Sequence, residues 1–254
     1  MELGLTDKVV IVTGASKGLG RAIALEFAKE RANVVICARD ETQLKAAAEE
    51  LRLTGSTVLG ISADVTIGAD VDRVVRETLD AFDRIDVLVN NAGDGWLDHT
   101  LDSPDEAWNQ CLDVNLMSAV RFCRAVVPHM KKQSTGRIIN LSSVSGHTPP
   151  PMLIDYNAAK AAMLALSKTL SLQLADDNIL VNSVCPAFIE SPLWDRLADD
   201  SIGTFGDTRE AVYQTLADQM INLKRFGRDD EVSGIVAFLA SDRASFITGS
   251  RFDA

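Results

Sequence analysis

Lys8-Val9-Val10-Ile11-Val12-Thr13 runs straight into Gly14-Ala15-Ser16-Lys17-Gly18-Leu19-Gly20, and a helical pattern begins at once. The first run is β-branched and lacks polar alternation, as a parallel strand buried on both faces does. From Gly20 to Glu30 the residues Ala22, Ile23, Leu25, Phe27 and Ala28 supply the apolar stripe of a helix. Strand, glycine-rich turn and helix make the first part of a βαβ unit, and the chain then repeats the alternation of strand and helix.

Asn33 to Ala38 reads as a second strand, Glu41 to Leu53 as a helix rich in Ala, Glu and Leu, and Val58 to Ala63 as a third strand. Asp70 to Phe82 continues as a helix and Ile85 to Asn90 as a fourth strand. Ser103-Pro104-Asp105-Glu106 carries a cap and a proline start, opening a long helical region toward Val127. Arg137 to Leu141, a helix from Tyr156 to Ala175, and Ile179 to Val184 complete the pattern. Strands alternating with helices require crossovers, which gives an α/β doubly wound parallel sheet of about seven strands, covered on both faces. No repeat or linker divides the chain, so residues 1–254 read as a single domain. Two stretches interrupt the alternation, His147-Thr148-Pro149-Pro150-Pro151-Met152 and a long segment from Pro186 to about Arg225 with short helical patches of its own. Both leave the carboxyl ends of strands, where ligands of open α/β sheets bind, so residues at about 187–225 read as a lid over a substrate.

The chain has 254 residues, 46% of them hydrophobic, which is enough for one sizeable core. Its formal net charge of −11 argues against nucleic acid and anionic membrane surfaces as partners. No apolar run approaches the ~20 residues of a membrane span, and Met1 to Lys8 lacks the pattern of a secretory leader, so a cytoplasmic location is expected. Cys37, Cys111, Cys123 and Cys185 form no Cys-x-x-Cys pair and are expected to be reduced and buried. His99, His129 and His147 show no ligand spacing, and no metal is expected.

Tyr156 and Lys160 stand four apart in Tyr156-Asn157-Ala158-Ala159-Lys160, on one face of a helix. A nearby ammonium favours the phenolate, so the phenol is expected below its ordinary pKa. Ser143 lies thirteen residues earlier, and Asn90-Asn91-Ala92-Gly93 ends the fourth strand. Together with the glycine-rich turn, these motifs in this order resemble the short-chain dehydrogenase/reductase family over essentially the whole chain. The resemblance implies a Rossmann fold and an oxidoreductase moving a hydride between a nicotinamide and a carbonyl or secondary alcohol. It implies a catalytic set of Asn115, Ser143, Tyr156 and Lys160. Tyr156 gives the proton, Lys160 holds the nicotinamide ribose, Ser143 steadies the carbonyl oxygen, and Asn115 holds a relay water. Asn115 bonding only to its own helix backbone is the alternative.

For the cofactor, the turn Gly14, Ser16, Lys17, Gly18, Leu19 and Gly20 brings backbone and a helix N-terminus to a pyrophosphate. The second strand ends at Ala38, not at the carboxylate that a ribose 2′-hydroxyl calls for. Arg39 and Lys17 flank that position and suit a 2′-phosphate, so NADP is expected over NAD. Asp40, one residue on, is the competing acceptor. By resemblance Asp64 and Val65 meet the adenine, Asn91, Ala92 and Gly93 the nicotinamide ribose, and Pro186, Ile189 and Ser191 the carboxamide and pyrophosphate. Asp64 as a helix cap, and Asn91 as a tie between strands, are the structural alternatives. Trp96, Met152, Phe188 and Trp194, with Asp94, His147 and Leu153 beside them, are the candidate walls for a small-molecule ketone or alcohol.

Other functions remain open on sequence grounds: an NAD-dependent alcohol or polyol dehydrogenase, a 3-oxoacyl-carrier-protein reductase, and a catalytically silent NADP-binding regulator. An acidic carrier protein needs basic surface. Lys131-Lys132 offers some, but Asp176-Asp177 stands where those reductases tend to carry an Arg. The resemblance also implies a homotetramer, with Leu112, Leu116, Val120, Met163, Leu166 and Leu170 available for its interface. The ending Phe252-Asp253-Ala254 is expected to be shortened relative to the family's Val-Asp-Gly-Gly tail.

Overall fold

The computed structural model describes residues 2–254. Seven strands form one fully parallel sheet in the order β3-β2-β1-β4-β5-β6-β7. They are β1 Val9–Thr13, β2 Asn33–Ala38, β3 Val58–Ser62, β4 Val87–Asn90, β5 Gly136–Leu141, β6 Ile179–Cys185 and β7 Arg251–Asp253. The helices are α1 Gly18–Lys29, α2 Glu41–Arg52, α3 Gly68–Phe82, α4 Asp105–Leu112, α5 Ser118–Gln133, α6 Ile154–Gln173, α7 Pro192–Asp200, α8 Arg209–Met220 and α9 Asp229–Ala240.

Alternate residues of the strands feed two cores. Val10, Val12, Val34, Ile36, Val87 and Val89 pack with α1, α2 and α9 on one face. Ile11, Val35, Leu88 and Ile138 pack with α3 and α5 on the other, which is why the strands read as continuous apolar runs. Because the strand order reverses between β1 and β4, their carboxyl ends open a crevice at that switch point.

Two features depart from the expected elements, and a third gives the expected helical patches their bounds. The long helix after Ser103 is broken by a π-helical turn, Asp113–Met117, between α4 and α5, and α5 runs on to Gln133. α9, which the sequence pattern did not single out, covers α1 and the β5 side of the sheet. α7 and α8 supply regular structure inside the long segment after β6, around a third cluster of Ala198, Val212, Leu216, Ala217 and Phe226.

Candidate active site

The carboxyl ends of β1, β4, β5 and β6 share one cleft of about 460 Å³. Its floor is set by backbone proximity. A Cβ on Gly20 would collide with the Asn91 amide and the Gly14 carbonyl, so the first turn of α1 closes on β1 and β4 only because no side chain is there. Asn91 donates from Nδ2 to Thr13 O at 2.9 Å and to Gly14 O at 3.2 Å, tying β4 to β1. That is the structural role left open for it, and Asn91 lines the cleft as well.

Ser143 and Lys160 come from different elements that are locked together. Ser142 Oγ donates to Lys160 O at 2.9 Å, and Lys160 Nζ donates to Leu141 O at 2.9 Å. Below them Asn90 Nδ2 donates to Asn140 Oδ1, and Asn140 Nδ2 to Ser167 Oγ, each at 2.8 Å. Those buried bonds hold α6 to β4 and β5. Gly93 completes the arrangement, since a Cβ there would lie 2.7 Å from Asn115 Oδ1 and 3.3 Å from Lys160 Nζ.

Asn115 is fully buried in the π-helical turn. Its Nδ2 donates to Asp94 O at 2.7 Å and to Cys111 O at 3.0 Å, and its Oδ1 accepts from Asp94 N at 3.2 Å. It bonds to its own helix and, in addition, fixes the loop after β4. π-Turns of this kind concentrate at functional sites.

The electrostatics differ from the expectation for Tyr156. Part of its ring is reachable from the cleft, but burial around the hydroxyl pushes the phenol up to about 12, against a lowering by the Ser143 hydroxyl. Lys160, with Nζ 5.4 Å from the Tyr156 ring centroid, is itself pushed down to about 8 by burial. Desolvation is the largest cause of both shifts, because the surroundings of the two groups are protein rather than water.

At the opposite end, Lys17 and Arg39 line the cleft, are exposed, and make no ion pair among the described residues. Asp40 is engaged elsewhere, accepting from Gln43 N at 2.9 Å as the N-cap of α2. Asp64 accepts from the amide and hydroxyl of Thr66, at 2.9 and 2.7 Å, so it does form a local turn while facing the cleft. Ser191 caps α7, accepting from Trp194 N at 3.3 Å. Ser16, Gly18, Leu19, Val65, Ala92, Pro186 and Ile189 line the same cleft. The residues present therefore fit a nicotinamide dinucleotide: a side-chain-free cradle at a helix N-terminus, two unpaired cations at the far end of β2, and a buried lysine at the other end.

Of the candidate walls, Met152, Phe188 and Trp194 line the cleft. Trp96 does not. Its indole stacks on His99 with ring centroids 5.1 Å apart. His147 also turns away, and its Nε2 lies 3.1 Å from Asp253 Oδ1. His147, Cys185 and Asp253 bring ligand-type atoms within 4.8 Å of one another, a grouping that sequence spacing concealed because three separate elements supply it. The lid contributes walls that the sequence pattern missed, among them Leu197, Phe205, Leu216 and Met220. Arg196 on α7 was missed too. It donates to Asp94 Oδ1 and to Gly95 O, both at 2.6 Å, joining the lid to the loop after β4.

No described helix is long and apolar enough to cross a membrane. The chain is 38% identical over 247 residues to a 3-oxoacyl-[acyl-carrier-protein] reductase of Staphylococcus epidermidis, covering 96% of this chain and 95% of that protein. Its structure resembles that of L-sorbose reductase from Gluconobacter frateurii complexed with NADPH and L-sorbose, at a TM-score of 0.95 and 36% identity, over 100% of this chain and 97% of the other. NAD+-bound xylitol dehydrogenase is similar at a TM-score of 0.91 and 31% identity, over 98% of each chain. Residues 8–201 match the short chain dehydrogenase family model. The chain belongs to the short chain dehydrogenase family, whose oxidoreductase chemistry interconverts CH–OH and C=O groups.

Proposed function

We propose that this protein is an NADP-preferring ketone reductase and alcohol dehydrogenase for apolar substrates. The observation that carries the reading is one cleft with Ser143, Tyr156 and Lys160 at one end and the unpaired Lys17 and Arg39 at the other. Bound there, the nicotinamide supplies or takes the hydride. Every other step belongs to the chain. Tyr156 stays protonated at neutral pH and gives its proton to the carbonyl oxygen in reduction. Ser143 donates to the same oxygen and holds it in line. Lys160 holds the nicotinamide ribose, and Asn115 orders the path by which the proton is replaced. Arg39 and Lys17 take the 2′-phosphate, which an Arg grips at two oxygens. The NADPH in the L-sorbose reductase complex agrees with that preference.

The segment of about 187–225 acts as a lid over the substrate, within a single catalytic domain. Leu153, Phe188, Trp194, Leu197, Phe205 and Met220 surround the substrate end, so a ketone with an alkyl chain or ring is favoured over a polyol. The carrier-protein reductase reading is weakened by Lys131, whose Nζ lies 2.7 Å from Asp177 Oδ2, leaving less free positive charge for an acidic partner. A cytoplasmic homotetramer completes the proposal.

Initial rates with alkyl ketones, aryl ketones and sugars, each with NADPH and with NADH, test it. Higher specificity constants for apolar ketones with NADPH are expected. A preference for NADH, or for polyols, overturns the corresponding half.

A further inference from the structure

His99 and Asp155 form a buried pair that the hydride-transfer chemistry does not use. His99 lies on the loop after β4, and Asp155 is the second residue of α6, directly before Tyr156. Asp155 is fully buried, and its Oδ2 lies 2.5 Å from His99 Nδ1. Its other oxygen accepts from the backbone N–H of Tyr156 at 2.8 Å. The buried Cys111 thiol on α4 also faces the carboxylate. Trp96 stacks on the imidazole at an interplanar angle of 16°, which fixes the ring.

A buried carboxylate is unfavourable unless its oxygens find donors, so the position is held by His99 and by the helix start together. Two observations say what is being held. Leu153, the residue preceding α6, has φ of 59°, a left-handed conformation in which a leucine is strained. Gly95, on the same loop as His99, packs on the Tyr156 side chain: a Cβ there would lie 3.5 Å from Tyr156 Cδ2 and 3.6 Å from Leu153 Cδ2. The loop and the strained entry to α6 therefore meet on the Tyr156 ring, and the His99–Asp155 contact is the polar bond between them.

We propose that His99 and Asp155 are positioning residues for Tyr156. His99 anchors Asp155, Asp155 anchors the Tyr156 backbone, and the phenol is thereby aimed at the carbonyl oxygen. The proposal rests on Tyr156 being the proton donor. It explains why Trp96 and His99, which do not line the cleft, are packed where they are.

The test uses the full chain with NADPH and three probe ketones: 2-octanone, propiophenone and ethyl 3-oxohexanoate. It reads kcat, the ketone KM, the NADPH dissociation constant by fluorescence, and the primary isotope effect on kcat with NADPH deuterated at the transferable position. His99→Leu should lower kcat about tenfold or more, the scale on which small misplacements slow a reaction. NADPH affinity should stay within about twofold, and the isotope effect should rise as chemistry becomes the slower step. His99→Asn, whose amide nitrogen stands near the place of Nδ1, should recover most of kcat. Asp155→Asn keeps an acceptor for the Tyr156 N–H and should fall between. A His99→Leu enzyme with wild-type kcat and isotope effect overturns the proposal. So do equal losses in His99→Leu and His99→Asn with an unchanged isotope effect, the pattern of a smaller folded fraction. Tyr156→Phe separates the two levels. If that variant keeps more than about a tenth of wild-type turnover, or if wild type reduces none of the ketones, the underlying reading fails with it. If it falls below that level while His99→Leu keeps the wild-type kcat and isotope effect, only the positioning role fails.

Discussion

A phenol held up to about 12 is a proton donor that never empties at ordinary pH, whereas a lysine held at about 8 changes charge within the working range. The two predict different behaviour. Tyr156→Phe keeps ring volume and packing, so NADPH binding should survive while turnover falls about 10²–10⁴-fold, the range of general acid catalysis. Retention of more than about a tenth of wild-type turnover removes Tyr156 from that role. Lys160 is charged below about 8 and neutral above it in the free protein. A cofactor that gains from its charge must raise that pKa on binding, so binding near pH 9 should take up a proton, and affinity should fall as pH rises through about 8. Calorimetry in two buffers of different ionisation enthalpy reads the uptake directly. Its persistence in Lys160→Met assigns it to another group. Cofactor choice is also set by single residues: Ala38→Asp with Arg39→Ser removes a contact to the 2′-phosphate worth ~1.5–3 kcal/mol and offers an acceptor to a 2′-hydroxyl instead. The ratio of specificity constants for NADPH and NADH should move toward NADH, and a ratio that stays put shows that Arg39 does not read the phosphate. The types and spacings of Tyr156, Lys160, Ser143 and Lys17 were legible in the sequence because they are local. The sign of the Tyr156 shift was not, because it depends on desolvation by distant segments.

The elements that aim these residues are joined by buried polar bonds that no periodicity reveals. Asn90, Asn140 and Ser167 come from β4, β5 and α6 and connect through two bonds of 2.8 Å. Within their own segments Asn90 and Asn140 stand as polar breaks in apolar strands, and nothing local says that they pair. Asn140→Leu keeps similar bulk and leaves the Asn90 amide with only a weak sulfur contact, to Cys123 Sγ at 3.5 Å. The cost should be about 1–3 kcal/mol for the orphaned donor, read by urea unfolding monitored through tryptophan fluorescence. An unchanged midpoint would mean that the bonds contribute no net stability. Turnover of the variant should fall with loosened seating of α6, even where the protein remains folded. Strand and helix positions up to β6 were legible from apolar patterning to within a few residues. The π-turn at Asp113–Met117 was not, because a one-residue widening of a helix leaves the apolar stripe nearly intact, and the partner that Asn115 reaches there, Asp94, is distant in sequence. The lid helices α7 and α8 fall within the segment whose short helical patches the sequence shows, but their packing on each other and on Phe226 rather than on the sheet was not legible.

At the scale of the molecule, the apolar positions on α4, the π-turn, α5 and α6 divide in an informative way. Met163 is buried within the chain, and Leu170 packs against the β-sheet core. Leu112, Leu116, Val120 and Leu166 are only partly covered, and Leu172 on α6 is 70% exposed. Phe246, in the segment before the edge strand β7, is fully exposed. An apolar helix face together with an exposed aromatic at the sheet edge suits two different two-fold contacts, which is what a tetramer of dihedral symmetry requires and a simple dimer does not. Exposed side chains of this size are costly to leave in water, at ~25 cal/mol per Å² of apolar area. We expect light scattering at micromolar concentration to give four times the mass of one chain. Leu172→Glu should disrupt the contact through α6, and Phe246→Asp the other, each yielding dimers, because an unpaired charge in an apolar contact is not compensated. If both variants and the wild type scatter as monomers, the apolar regions serve something other than self-association. If wild type scatters as a dimer and only one variant lowers its mass, a single two-fold contact exists and the tetramer prediction fails.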